Sequence, residues 1–263
     1  KFMPSTGTLT HLRFPGQDPL VRVDSGVRAG DEISFHYDPM IAKVIAWGTD
    51  RTECAERLTR ALRDTEVVGV TANASFLANL VSHPDFVAGG IDTGFVTEKG
   101  DQLIEPTAPL DDTALALAAL GVLAHREAVL EAATAQSPDP HSPWAISNAW
   151  RLNHEGTCRL SFRQGEEQFD LDAVPLRSPA TGYKLNLPSG ATLEGAGTFR
   201  GHHRLAATLD GVRRETSVVM DGDAVTVLVD GLRHDLAHHD PTVASSEGGG
   251  AASYINFDVP SST

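Results

Sequence analysis

The sequence predicts an α+β chain: a small antiparallel sheet with two helices, followed by an antiparallel β-barrel wrapped around a long central helix. Three observations carry this. Met40 to Trp47 is an almost unbroken apolar run, the mark of a buried strand, and amphipathic helical patterns follow it. Residues 111 to about 135 form a long alanine- and leucine-rich helical pattern. Everything after the prolines at 138, 140 and 143 reads as short strands.

Taken in order, Lys1 to Pro15 is extended, with a turn at Pro4 and Gly7. Val21, Val23 and Ser25 alternate with Arg22 and Asp24 as a half-buried strand, and Arg28 to Asp31 turns the chain back toward the central strand. Tyr37-Asp38-Pro39 places a phenol, a carboxylate and a fixed φ at that strand's entrance, and Lys43 sits in its apolar half. A lysine there must reach a carboxylate, a cleft or solvent, because an unpaired buried ammonium is costly. Thr49 or Asp50 caps the first helix, which turns Cys54, Leu58, Ala61 and Leu62 inward. A strand from Glu66 to Val70 follows. The second helix, carrying Phe76, Leu77, Leu80 and Val81 inward, ends at Pro84. Gly89 to Phe95 reads as a cap and turn, not a phosphate loop, since neither a Lys-Ser/Thr pair nor a helix start is expected after it.

Lys99 to Pro109 has the composition of a linker, so a domain boundary falls near 100 to 108. Asp111 and Asp112 complement the dipole of the long helix, whose wide apolar surface (Leu115, Ala118, Ala119, Val122, Leu123, Val129, Leu130) requires enclosure. Strands are expected at 144–152, 158–163, 168–173, 182–187, 192–200, 205–209, 212–220, 224–229 and 232–238. Asp210-Gly211, Asp221-Gly222 and Asp230-Gly231 supply hairpin turns. Wrapping that sheet around the helix is the economical arrangement; strand pattern alone also allows a β-sandwich.

The 263 residues include 35 acidic and 21 basic side chains, and a net charge of −14 argues against nucleic acid or an anionic membrane surface as partner. No apolar run is expected to span a bilayer. Cys54 and Cys158 have neither disulfide nor metal spacing, which points to a reducing, cytoplasmic setting. His234, Asp235, His238, His239 and Asp240 are the densest set of metal-ligand types, yet on a strand His234 and His238 share one face while Asp235 and His239 point the other way; a polar barrel edge is the expected reading, as for His202-His203.

The strings YDPMIAKVIAWG (37–48), DRTECAERLTRAL (50–62) and VVGVTANASFLANLVSHPDFVAGGIDTGFV (67–96) resemble the end of a biotin carboxylase domain, over Lys1 to about Glu98. Asn79 to Phe86 and the closing Asp92-Thr93-Gly94-Phe95 are most similar to the 3-methylcrotonyl-CoA branch of the biotin-dependent acyl-CoA carboxylase α subunits. The resemblance implies three parts: residues 1–104 as the C-terminal portion of the carboxylase domain, 105–242 as the helix-in-barrel BT domain, and 243–263 as a flexible linker toward a biotin carrier domain.

In that family ATP activates bicarbonate as carboxyphosphate, Mg²⁺ bridges phosphates, and biotin is carboxylated, in leucine degradation for the methylcrotonyl-CoA enzymes. The resemblance places the catalytic groups before Lys1 and the biotinylated Ala-Met-Lys-Met motif after Thr263. It therefore implies a fragment without catalytic or metal residues of its own, inactive alone, in which Tyr37, Asp38 and Lys43 support the carboxylase site and Thr93 and Gly94 flank the adenine side of the ATP cleft. It also implies the carboxyltransferase β subunit and the biotin carrier domain as partners in a hetero-oligomer, with Ser178 to Gly182 and Ser137 to Pro143 as docking loops. Arg22 is either a dimer contact or a solvated arginine. Propionyl-CoA and geranyl-CoA carboxylase α subunits share the architecture, and a stand-alone interaction module is the reading from outside the enzymes.

Overall fold

A computed structural model describes residues 5–34, 36, 40–104, 108–135, 156–176 and 182–238. The first part holds three two-stranded antiparallel pairs where the sequence suggested one small sheet. Strand β1 (Gly7–Thr8) pairs with β4 (Glu32–Ile33), β2 (His11–Arg13) with β6 (Glu66–Val68), and β3 (Val21–Ser25) with β5 (Ala42–Ala46). Leu9, Ile33, Val67 and Val70 fill the core beneath them.

Helix α1 (Arg51–Arg63) begins at Asp50, whose carboxylate accepts from the Glu53 N–H at 2.8 Å, while the Glu53 carboxylate reaches back to the Thr49 N–H at 2.8 Å and the Thr49 hydroxyl at 2.6 Å. Two otherwise unpaired backbone donors are thus satisfied at one helix end. Asp50→Ala is expected to cost about 1 kcal/mol. Chemical denaturation checks this, and no change in midpoint would count against the cap. The inward stripe of α1 is Ala55, Thr59, Ala61 and Leu62, with Cys54 and Leu58 half-buried beside it. Helix α2 (Ala74–Ser82) contributes Ala78 and Val81 to the same cluster.

Two further helices depart from expectation. Pro84 ends α2 and also starts α3 (Pro84–Ala88), because a proline fits the first helical position as well as it breaks an interior. Helix α4 (Phe95–Leu103) begins where a plain turn was expected: the Asp92 carboxylate takes the Gly94 N–H at 2.7 Å, and the Gly94 carbonyl then accepts from Thr97 and Glu98. The expected linker is therefore helical up to Leu103.

Helix α5 (Asp112–Ala135) is the axis of the second part. Every residue from Ala114 to Ala124 is buried, all the way round the helix. Around it run β7 (Cys158–Gln164), β8 (Glu167–Pro175), β9 (Tyr183–Asn186), β10 (Thr192–Phe199), β11 (Arg204–Leu209), β12 (Val212–Asp221), β13 (Ala224–Val229) and β14 (Leu232–His238). They close into an antiparallel barrel in the order β10-β11-β12-β13-β14-β7-β8-β9. A barrel, not a sandwich, is the outcome. By length and apolar content α5 could cross a bilayer, contrary to the expectation that no stretch could, but its apolar half is the core of the barrel. Val129, expected among the enclosed residues, lies in the exposed second half. The strand expected at 144–152 lies outside the described residues.

Close approach of helix and wall fixes three glycines. A Cβ on Gly121 would stand 2.7 Å from Val218 Cγ1, one on Gly195 3.0 Å from Leu120 Cδ1, and one on Gly197 3.3 Å from Leu120 Cβ.

Candidate functional site

Tyr37 and Asp38 lie outside the described residues. Lys43 is exposed on β5 and stands opposite Asp24 in the β3–β5 register, so it meets its charge requirement at solvent and the strand is only half-buried. Neighbouring Arg22 is exposed too, its guanidinium 3.1 Å from the Asp24 carboxylate. Thr93 is exposed and Gly94 half-buried at the start of α4, with the Gly94 N–H already taken by Asp92.

The barrel has two polar ends. Where α5 enters, Asp111 accepts the Ala114 N–H at 2.7 Å and Asp112 accepts the Ser189 hydroxyl at 2.8 Å. Where α5 leaves, the Tyr183 hydroxyl donates to Glu127 at 2.5 Å; burial, with this bond next, pushes the phenol above its ordinary range. Arg126 reaches Cys158 Sγ at 3.4 Å and His238 Nε2 at 3.2 Å, while His238 Nδ1 lies 3.0 Å from the Ser161 carbonyl. A carbonyl only accepts and a guanidinium only donates, so the His238 proton sits on Nδ1 and Nε2 accepts from Arg126.

His234 and His238 do share the buried face of β14, and Asp235 points out to Thr226 and Arg233. Burial lowers the His234 pKa, favouring the neutral ring. Among the described residues no three His, Cys, Asp or Glu side chains gather as a metal group. His202 and His203 form the turn before β11, and the His203 ring meets that of His11 edge-on at 5.6 Å, a contact between the two parts of the chain.

A cleft of about 980 Å³ also runs between the parts, lined by Arg60, Arg63 and Asn79 on one side and Glu215, Asp230 and Arg233 on the other. At its edge stands a cluster that the sequence reading missed, around Glu66. This carboxylate is buried, with 9% of the side chain exposed. It is held by His11 Nε2 at 2.7 Å, by Arg13, and by Ser217 Oγ of the barrel at 2.6 Å. The available signal was a carboxylate opening an apolar strand.

Together the fold and these sites define a helix-filled barrel docked on an α+β unit, a module whose described acids and bases serve caps, strand pairs and packing. Residues 1–98 match the biotin carboxylase C-terminal domain, and residues 111–241 match the BT domain of the methylcrotonyl-CoA carboxylase α subunit. The chain belongs to the biotin-dependent carboxylase α subunits that carry these two domains. It is 40% identical over 169 residues to the mitochondrial methylcrotonoyl-CoA carboxylase subunit α of Dictyostelium discoideum, covering 64% of this chain and 23% of the relative. The Mus musculus counterpart is 31% identical over 219 residues, covering 83% and 30%. The mitochondrial propionyl-CoA carboxylase α chain of Homo sapiens is 43% identical over 96 residues, covering 36% and 13%. The chain thus spans less than a third of the length of these relatives.

Proposed function

We propose that this chain is the part of a methylcrotonyl-CoA carboxylase α subunit that completes the biotin carboxylase domain and joins the carboxyltransferase β subunit through the barrel. The observation that carries this is the match of the helix-filled barrel, residues 111–241, to the methylcrotonyl-CoA BT domain. The propionyl-CoA carboxylase α chains match over 96 and 109 residues, whereas methylcrotonoyl-CoA carboxylase subunits α match over 169 and 219, so the barrel favours the methylcrotonyl-CoA reading. In the whole subunit, ATP, Mg²⁺ and bicarbonate supply the chemistry that carboxylates biotin on its carrier domain.

Tyr37, Asp38 and Lys43 would support that site. At the adenine side the Gly94 N–H is spent on Asp92, which leaves contact to the exposed Thr93 and to packing. The docking loops proposed for the β subunit, Ser178 to Gly182 and Ser137 to Pro143, lie outside the described residues except for Gly182; they follow from sequence, where proline reduces the ordering entropy lost on binding. The two free cysteines suit a reducing compartment, and the relatives are named mitochondrial.

The test is capture of the cognate methylcrotonyl-CoA carboxyltransferase β subunit by the full chain, with propionyl-CoA β subunit as comparison. Micromolar association with the first is expected, weakened about tenfold, or about 1.4 kcal/mol, when residues 178–182 become a Gly-Ser loop. No association of the parent chain, or a preference for the propionyl-CoA β subunit, would overturn the reading.

A further inference from the structure

Barrel strands normally alternate between a buried interior face and a solvated outer one. Over Thr216 to Val219 of β12 and Val225 to Val227 of β13 that alternation stops: all of these residues are buried. Val218, Val225 and Val227 belong to the barrel core, so by period two Ser217, Val219 and Thr226 face outward and are covered from outside.

The cover is the edge formed by β2 and β6. Glu66 stands opposite Arg13 in their register. One of its oxygens accepts from His11 Nε2 at 2.7 Å and from Ser217 Oγ at 2.6 Å; the other is held by Arg13. One residue along, the Val67 carbonyl accepts from Arg233 Nη1 of β14 at 2.8 Å. Arg63 packs beside the β13–β14 turn, its Cβ 3.5 Å from where a Cβ on Gly231 would lie. His203 closes the far side against His11.

We propose that Glu66 is a lock between the carboxylase unit and the barrel: its buried carboxylate, shared by donors from both, makes the two move as one body and sets the direction in which the barrel faces its partner. The reason is the asymmetry of buried hydrogen bonds. Two donors, His11 and Arg13, come with the carboxylate in its own unit and persist if the barrel swings away. The third, Ser217, exists only in the docked state, and there it meets a carboxylate that water cannot reach. Without that hydroxyl the docked state alone bears an unsatisfied buried lone pair, while the undocked state hydrates it, so the balance shifts toward separation. The lock stands whether or not the barrel binds a carboxyltransferase, since it concerns how the chain's own two parts are joined.

The test uses the full chain with Cys54→Ser and Cys158→Ser, spin-labelled at Glu56→Cys on α1 and Asp221→Cys at the end of β12, both exposed. Pulsed electron resonance should give one narrow distance distribution. Ser217→Ala and Glu66→Gln should each broaden it at least twofold. Glu215→Gln, two residues before Ser217 on β12, removes an exposed ion pair with Arg204 of β11 and should leave it unchanged. Amide exchange at Leu160 and Phe162 reports that the barrel is intact, and Glu66→Gln alters no barrel residue. A broad distribution in the parent, or one equally narrow in both lock variants, overturns the proposal.

Discussion

Leu117→Asp is expected to unfold the barrel, whereas Val129→Asp on the same helix should leave stability within about 0.5 kcal/mol. Leu117 is 0% exposed and Val129 40%, though both belong to one apolar pattern. At Leu117 the new carboxylate would be ringed by the apolar faces of the strands that form the barrel core. An unpaired buried charge costs several kcal/mol after relaxation, a large part of the 5–15 kcal/mol that holds a typical domain together. Nor can the helix slide to hydrate the charge. Gly121 has no room for even a Cβ against Val218, and Gly195 and Gly197 lie close to Leu120, at 3.0 and 3.3 Å from where a Cβ would stand. Chemical denaturation followed by circular dichroism separates the outcomes. A Leu117→Asp chain as stable as the parent would mean that the barrel does not close on its helix.

The barrel strands were legible because each carries its own local signal. Ala224–Val229 and Leu232–His238 fall at the expected residues, and Asp210-Gly211 and Asp230-Gly231 adopt the paired positive φ values that their hairpins require. At Asp221-Gly222 the signal marked the right place but slipped: Asp221 remains in β12, and Gly222 with Asp223 makes the turn. Closure was not legible, since it rests on two pairings of distant residues, Ala237 with Arg163 and His238 with Phe162. Helices α3 and α4 escaped because they are short and start on chemistry that also ends helices, a proline and an Asx turn.

The same contrast holds for function. Family strings identified the first part of the chain because motifs are local, and the second was read from the order of its elements, a long apolar helix followed by short strands. Lys43, singled out for standing in an apolar run, proved to face solvent. Glu66 passed as the first residue of a strand, because its meaning depends on Ser217, which lies 151 positions away. Period-two reasoning could have reached it only with the outer face of β12 already known to be covered.

Acid is expected to loosen the junction in two separable stages. Burial alone would raise the Glu66 pKa, but the bonds from His11, Arg13 and Ser217 outweigh it and hold the group at about 2 against an ordinary 4.5. A depressed carboxylate stabilises the folded form above the unfolded value and loses that contribution as pH falls from about 4.5 through about 2, an amount on the order of 3 kcal/mol. His203 is lowered from 6.5 to about 4, first by burial and then by the neighbouring His11, His202 and His125. The folded state thus prefers its neutral ring, so stability is full above 6.5 and declines toward pH 4 as the unfolded chain takes up a proton that the folded one refuses. His203 is only half-buried, so solvent screening reduces this stage to about 1–2 kcal/mol. Asparagine tolerates the left-handed backbone that His203 adopts at φ 60°, which makes His203→Asn a clean probe. Unfolding free energy measured from pH 7.5 to 2.5 should decline less between 6.5 and 4 in His203→Asn, the remainder belonging to His125 and His234, whose pKa values burial also lowers, while the lower stage is kept; in Glu66→Gln the lower stage should shrink and the upper remain. A His203→Asn profile that matches the parent between pH 6.5 and 4 would show that the histidine does not hold its neutral form at the junction.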